Sequence, residues 1–129
     1  MPSDLSDQNS SFWDEPCGSQ LAASLGISGD SDEDSLSLFD QQYFQLYPYL
    51  KPFLSDIAGS ATDVLEVGLG MGTVSEWLSL NVSNYTGLDI ANGPVSIVNQ
   101  RLLRMGQGEA AKHGSILNAP FPDESFDAV

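Results

Sequence analysis

The sequence is poor in the residues that disulfide, metal and phosphate chemistry require. It holds one cysteine, Cys17, and one histidine, His113, which excludes an internal disulfide and leaves too few ligands for a zinc site. Only 4 basic residues accompany 18 acidic ones, giving a formal net charge of −14. Because phosphate binding needs Lys and Arg to displace counterions, we expect no direct binding to nucleic acid or to an anionic membrane surface.

Long hydrophobic runs are also missing, so nothing in the sequence predicts a membrane span. The first residues include neither a basic start nor an apolar stretch of the secretory type, and we therefore expect a cytoplasmic protein. The hydrophobic content, 41% of the residues, is enough to form the core of one globular domain.

Residues 1–35 are dominated by Ser, Asp, Gly and Asn and have no basic residue. Such a composition predicts an acidic, largely flexible N-terminal extension, with the domain following at residues 36–129. The adjacent aromatics Phe12 and Trp13 are the exception. They are expected either to dock on the domain's own surface or to line a substrate entrance.

From residue 36 onward the apolar spacing predicts alternating helices and strands. Residues 36–57 have helical spacing interrupted by Pro48 and Pro52, which indicates two short helices or one kinked helix, and residues 59–62 form a linker. Further helices are predicted at residues 73–81 and 94–105, and strands at residues 64–67, 85–90, 111–116 and, as the start of a fourth, 125–129. This alternation predicts an α/β fold with a mainly parallel sheet covered by helices.

A glycine-rich loop joins the first predicted strand to the next helix and reads Glu66-Val-Gly-Leu-Gly-Met-Gly72. Glycines there permit a tight turn and let a ligand come close to the backbone at the helix N-terminus. A dinucleotide-binding loop would need a further glycine at position 73, where this chain has Thr73. The loop is therefore not typical of a pyrophosphate site.

Asp89 ends the second predicted strand, about twenty residues after the loop. A carboxylate at this place can accept hydrogen bonds from both hydroxyls of a ribose. The alternative is that Asp89 only caps a turn before Asn92 and Gly93. The glycine loop precedes Asp89 by the expected number of residues, which favours the interpretation as a ribose-binding acid.

The tail that begins at Gly114 contains Pro-Phe-Pro-Asp-Glu-Ser-Phe-Asp-Ala-Val129. With this segment the sequence resembles the class I S-adenosylmethionine-dependent methyltransferases: the loop is similar to their first motif, Asp89 to their ribose-binding acid, and the tail to the segment that leads into their fourth strand. The resemblance covers about residues 60–129. It implies a Rossmann-like three-layer sandwich and the cofactor S-adenosylmethionine.

The resemblance also implies a set of cofactor-binding residues. Gly68 and Gly70 would approach the methionine part, and Glu66 would support that end through direct or water-bridged hydrogen bonds. Asp89 would bind the ribose, Ile90 would pack on the adenine, and residues 115 and 116 would meet the adenine edge. The full set is Glu66, Gly68, Gly70, Gly72, Asp89, Ile90, Ser115 and Ile116. Ser115 departs from the family, which usually has aspartate there. The lost charge assistance is worth on the order of 1 kcal/mol.

Other polar residues have simpler interpretations. We predict a structural role for His113 and a turn at Asp123 and Glu124, while Asp127 either holds a turn or lines the site. No metal site is expected, and the sequence names no catalytic residue.

The predicted function is methyl transfer to an unidentified acceptor, expected to be a small molecule. A non-catalytic Rossmann-like cofactor-binding protein remains an alternative, as does a nicotinamide-dependent oxidoreductase, against which Thr73 and the tail argue. The resemblance implies seven strands, and Val129 falls within the fourth. We therefore expect a fold that is incomplete at its C-terminus, an N-terminal fragment that is poorly soluble alone.

Overall fold

A small parallel sheet forms the centre of the fold, and helices connect its strands. The computed structural model describes residues 20–27 and 32–129. The elements follow in the order α1 (Gln20–Leu25), α2 (Glu33–Leu46), α3 (Leu50–Ser60), β1 (Asp63–Val67), α4 (Thr73–Asn81), β2 (Asn84–Asp89), α5 (Asn92–Arg104), β3 (Ala111–His113) and a 3₁₀ turn (Ile116–Asn118). Phe12 and Trp13 lie outside the described residues, so their docking stays a prediction.

The described strands pair in parallel in the order β1-β2-β3, with Val67 opposite Leu88 and Asp89 opposite His113. The successive residues Val64 and Leu65 point to opposite faces of β1 and are both buried, so both faces of this strand are covered. This arrangement confirms the α/β, Rossmann-like fold class.

The third strand is shorter than predicted. It ends at His113 because the chain leaves the sheet at Ser115, whose side chain accepts the N–H of Leu117 and caps the 3₁₀ turn. The expected fourth strand is reduced to one parallel bridge between Val64 and Ala128, on the side of β1 away from β2.

The helices before the sheet differ from the prediction at their ends. Helix α2 begins at Glu33, three residues before the predicted start, because the Asp32 side chain caps it by accepting the N–H of Ser35. Pro48 lies in the turn before α3, so the two-helix alternative is correct. Helix α3 continues to Ser60 and leaves a shorter linker than residues 59–62.

Helix α1 lies within the segment that its composition predicted to be largely flexible. Ala22 and Ile27 are buried in a cluster with Leu36 and Phe39 of α2, and Met71 of the glycine loop and Ile97 of α5 complete it. Apolar side chains at these positions are enough to dock the helix against the domain that was predicted to begin at residue 36. Residues 33–35 of the extension belong to helix α2, and residues 1–19 and 28–31 lie outside the described residues.

Two side chains hold the ends of the sheet. Asn99 of α5 donates to the carbonyl oxygen of Ala111 at 3.0 Å and accepts the N–H groups of Ala110 and Ala111 at 3.1 and 3.0 Å, which ties the helix to β3. Asp127 accepts the N–H groups of Thr62 and Asp63, both at 3.0 Å, and these bonds lower the pKa of its carboxyl.

Asp127 therefore holds a turn at the amino end of β1. The site-lining alternative is wrong, because the glycine loop follows the opposite end of this strand. The turn predicted at Asp123 and Glu124 is present, with Glu124 in a left-handed conformation at φ 58°.

Candidate functional site

A cleft of about 190 Å³ opens where β1 ends and the glycine loop begins. Ligands of open α/β sheets bind at this carboxyl edge of the strands. The cleft is lined by loop residues, by the start of α4 and by two aromatic residues of α2; the full lining is Phe39, Tyr43, Glu66, Gly68, Leu69, Gly70, Met71, Thr73 and Val74. Three of the residues proposed from the sequence, Glu66, Gly68 and Gly70, thus lie together.

Gly68 and Gly70 adopt left-handed conformations, with φ of 81° and 57°, which side chains other than glycine rarely adopt. No atom lies within 4 Å of the position a Cβ would take at either residue. The loop backbone is therefore open to a ligand at both glycines.

Gly72 is different. It is buried, has φ of 86°, and a Cβ there would lie 3.0 Å from Cδ of Arg101 and 3.2 Å from Cγ2 of Val98. The third glycine therefore permits close packing of α4 on α5 and does not line the cleft.

Asp89, at the end of β2, does not line this cleft but is hydrogen-bonded to the loop that does. Its Oδ2 accepts the N–H of Leu69 at 2.7 Å and its Oδ1 accepts the N–H of Ala91 at 2.9 Å, with 8% of the residue exposed. A carboxylate has about four acceptor positions, so each oxygen retains one for a hydroxyl. The acid is thus joined to the loop without losing its capacity to bind a diol.

Glu66 lies beneath the loop in a network of hydroxyl groups. Ser75 donates to its Oε1 at 2.6 Å and Tyr85 donates to the same oxygen at 2.7 Å. Burial raises the pKa of Glu66 to about 7, although the two hydroxyl donors act in the opposite direction. The side chain can therefore change its charge near neutral pH.

The residues proposed for the adenine lie at the ends of β2 and β3. The Oγ of Ser115 accepts the N–H of Leu117 at 3.2 Å and so caps the 3₁₀ turn, while Ile116 is 52% exposed. His113 has the predicted structural contact, because its Nε2–H donates to the carbonyl oxygen of Ile90 at 2.8 Å. This bond holds the segment after Asp89 against β3.

Sequence reasoning missed an ion-pair network around a buried arginine. Arg101, 3% exposed, donates to Asp40 of α2 at 2.8 Å and to Glu76 of α4 at 2.6 Å, and Thr73 donates to Asp40 at 2.6 Å. Burial alone would lower the pKa of Arg101, but the two carboxylates outweigh it and raise the pKa. The available signal was an arginine on the apolar face of α5, next to Val98 and Leu102.

Within residues 20–27 and 32–129, no group of three or more His, Cys, Asp and Glu side chains could hold a metal ion. No helix in these ranges is long and apolar enough to cross a membrane.

Comparison with known proteins gives one family. Residues 65–129, half of the chain, match the family described as "Methyltransferase domain", and this match starts at β1 and includes the loop, Asp89 and the tail. No curated protein matches the chain. Taken with the parallel sheet and the cleft at its carboxyl edge, the family match shows that the chain belongs to the class I S-adenosylmethionine-dependent methyltransferase domain family.

Proposed function

We propose that this protein binds S-adenosylmethionine and transfers its methyl group to a small-molecule acceptor. The observation that carries the proposal is the contact between Asp89 and Leu69, which joins the proposed ribose-binding acid directly to the lining of the cleft. A nucleoside held by Asp89 would extend its 5′ substituent along the loop towards Glu66.

The residues fit the parts of the cofactor in order along this edge. The open backbone at Gly68 and Gly70 would accommodate the methionine part, and Asp89 would accept the ribose hydroxyls. Ile90, Ser115 and Ile116 lie beyond Asp89, at the ends of β2 and β3, where the adenine would be placed.

The sulfonium of the cofactor already activates its methyl group, so the protein's task is to align that group with a nucleophile. Such alignment can lower a barrier by roughly 7–11 kcal/mol. Phe39 and Tyr43 of α2 line the cleft, and aromatic faces attract a cation such as a sulfonium. We assign no general base.

The net charge of the chain supports the proposed acceptor class. With a formal net charge of −14, a polyanionic acceptor such as nucleic acid would be repelled. A small acceptor that is uncharged or cationic fits best, and the aromatic side of the cleft favours one with a flat or apolar face.

Calorimetric titration with S-adenosylmethionine, its demethylated product and NAD tests the proposal. We expect micromolar dissociation constants for the first two, which corresponds to roughly 8 kcal/mol, and no binding of NAD. Binding of NAD without S-adenosylmethionine would instead favour an oxidoreductase. Transfer of a labelled methyl group to a panel of small acceptors then separates an enzyme from a non-catalytic cofactor-binding protein.

A further inference from the structure

Tyr85 of β2 reaches across the sheet to Glu66 only because residue 87 is glycine. Tyr85 and Gly87 are two residues apart on the same strand and therefore face the same side of the sheet. A Cβ at position 87 would lie 2.7 Å from the hydroxyl oxygen of Tyr85, closer than side chains tolerate. The chain thus leaves room for a phenol hydroxyl at this point in the core.

The hydroxyl is used to hold one oxygen of Glu66. Tyr85 donates to Oε1 of Glu66 at 2.7 Å, and Ser75, which is fully buried on α4, donates to the same oxygen at 2.6 Å. Two donors on one oxygen fix the rotation of the carboxylate. Among the described residues, Oε2 of Glu66 has no hydrogen-bond partner, and Glu66 lines the cleft whereas Tyr85 does not.

We propose that Tyr85 is a positioning residue, which together with Ser75 holds Glu66 so that its second oxygen accepts the α-ammonium group of the cofactor's methionine part. The inference rests on the proposed function. A side chain outside the cleft would then decide how well the amino-acid end of the cofactor is bound.

The electrostatics of the site support this role and make binding dependent on pH. The titratable groups that act on Glu66 are Tyr85 and Asp89 of β2 and Tyr43 of α2, and the hydroxyl of Ser75 on α4 adds a neutral donor. Burial raises the pKa of Glu66 to about 7, and the two hydroxyl donors keep it from rising further. Because an ammonium favours the ionised carboxylate, cofactor binding should release a proton below neutral pH.

The test compares two ligands that share a nucleoside. S-Adenosylhomocysteine has the amino-acid end, whereas 5′-methylthioadenosine lacks it. Wild type and Tyr85→Phe are titrated with both between about pH 6 and pH 9, a range that brackets the Glu66 transition. Tyr47→Phe removes the hydroxyl of a partly exposed tyrosine on the surface and serves as the matched control.

Tyr85→Phe should weaken S-adenosylhomocysteine about tenfold at neutral pH, the effect of losing one hydrogen bond to a charged group, and leave 5′-methylthioadenosine unchanged. The pH below which S-adenosylhomocysteine binding declines should move upward, because one donor to the ionised form is lost. Ser75→Ala should show the same selective loss, which keeps the test valid if Tyr85→Phe does not fold. In Glu66→Gln the pH dependence should disappear.

Two results would overturn the inference. If both ligands weaken equally, or neither changes, in Tyr85→Phe and Ser75→Ala, then these residues only pack the core. If wild type binds neither ligand, the proposed function itself has failed, and this inference fails with it.

Discussion

The carboxylate of Asp89 accepts the backbone N–H of Leu69 at 2.7 Å, so the acid at the end of β2 and the loop after β1 form one unit. The contact has two consequences. It fixes the loop conformation before any ligand arrives, and it aims the remaining acceptor positions of the acid at the edge of the sheet where the ribose is proposed to lie. Changes at Asp89 should therefore affect both stability and binding.

Asp89→Ala should weaken S-adenosylmethionine and its demethylated product by about 1–3 kcal/mol, because the ribose hydroxyls lose a charged acceptor. Asp127→Ala is the matched control, since Asp127 also accepts two backbone N–H groups but lies at the opposite end of β1. Calorimetric titration of the three proteins measures the effect. Unchanged affinity in Asp89→Ala would contradict the assignment of this residue.

The glycines at 70 and 72 should respond differently to alanine. Both have positive φ, so each substitution brings about 1–2 kcal/mol of backbone strain. Gly72→Ala should lose more stability, because its Cβ meets Arg101 and Val98, whereas Gly70→Ala should chiefly weaken cofactor binding. Urea unfolding and calorimetry measure the two effects separately. Equal losses of stability would show that Gly72 is not constrained by packing.

Arg101→Met should destabilise the fold by about 1–3 kcal/mol, because Asp40 and Glu76, whose side chains are 21% and 34% exposed, lose the hydrogen bonds of their buried cation. Arg104→Met, three residues further along α5 and exposed, is the control and should change the free energy of unfolding little. Denaturant unfolding at neutral pH measures both variants. Comparable stabilities would mean that the network contributes nothing beyond its packing.

The stability of the wild-type protein should depend on pH through Glu66. The pKa of Glu66 is about 7 in the folded protein and ordinarily 4.5, so between these values the folded state binds more protons than the unfolded state. The contribution of Glu66 to the free energy of unfolding should then fall as pH rises from 4.5 to about 7, by at most about 1.4 kcal/mol per pH unit.

Glu66→Gln isolates this contribution, since the amide keeps an oxygen for Ser75 and Tyr85 but does not titrate. The variant should gain stability relative to wild type between pH 5 and pH 7, a window of about two units. Thermal unfolding across this range is the measurement. A difference that stays constant with pH would show that Glu66 is ionised throughout.

Ser115→Asp should strengthen cofactor binding by at most about 1 kcal/mol, because the new carboxylate must itself be desolvated. The oxygen of Ser115 already accepts the N–H of Leu117, and an aspartate can keep this cap with one oxygen while it offers the other to the adenine amino group. Ser115→Ala, which removes the cap, should bind less tightly than either. A loss of more than about tenfold in Ser115→Asp would mean that residue 115 is misassigned.

The parts of the fold that sequence predicted are those that local pattern controls. Apolar periodicity placed the strands and helices of the sheet, and the glycine spacing placed the loop at the end of β1. The third strand was predicted too long, because Ile116 is apolar like a strand residue although it begins a 3₁₀ turn that Ser115 caps.

The same distinction between local and long-range information applies to the candidate site. Glu66, Gly68 and Gly70 were found because a motif of known spacing carries them, and the structure brings them to one cleft. The partners of Arg101 could not be predicted, because Asp40 lies 61 residues and Glu76 25 residues away in the chain. Phe39 and Tyr43 have the apolar spacing of a helix, and nothing local in the sequence shows that this helix will cover the loop.

Asn99 determines the spacing between Asp89 and Ser115, on which binding of the proposed ligand would depend, although the ligand would not contact Asn99 itself. Its amide holds β3 at Ala110 and Ala111, and β3 in turn determines where Ser115 lies relative to Asp89. A slip of β3 by one residue would move that position by about 3.3 Å and turn its side chains to the other face. The Asn99 amide therefore fixes the distance between the proposed ribose and adenine positions. Insertions between α5 and β3 should be tolerated only if Asn99 still makes its hydrogen bonds to Ala110 and Ala111.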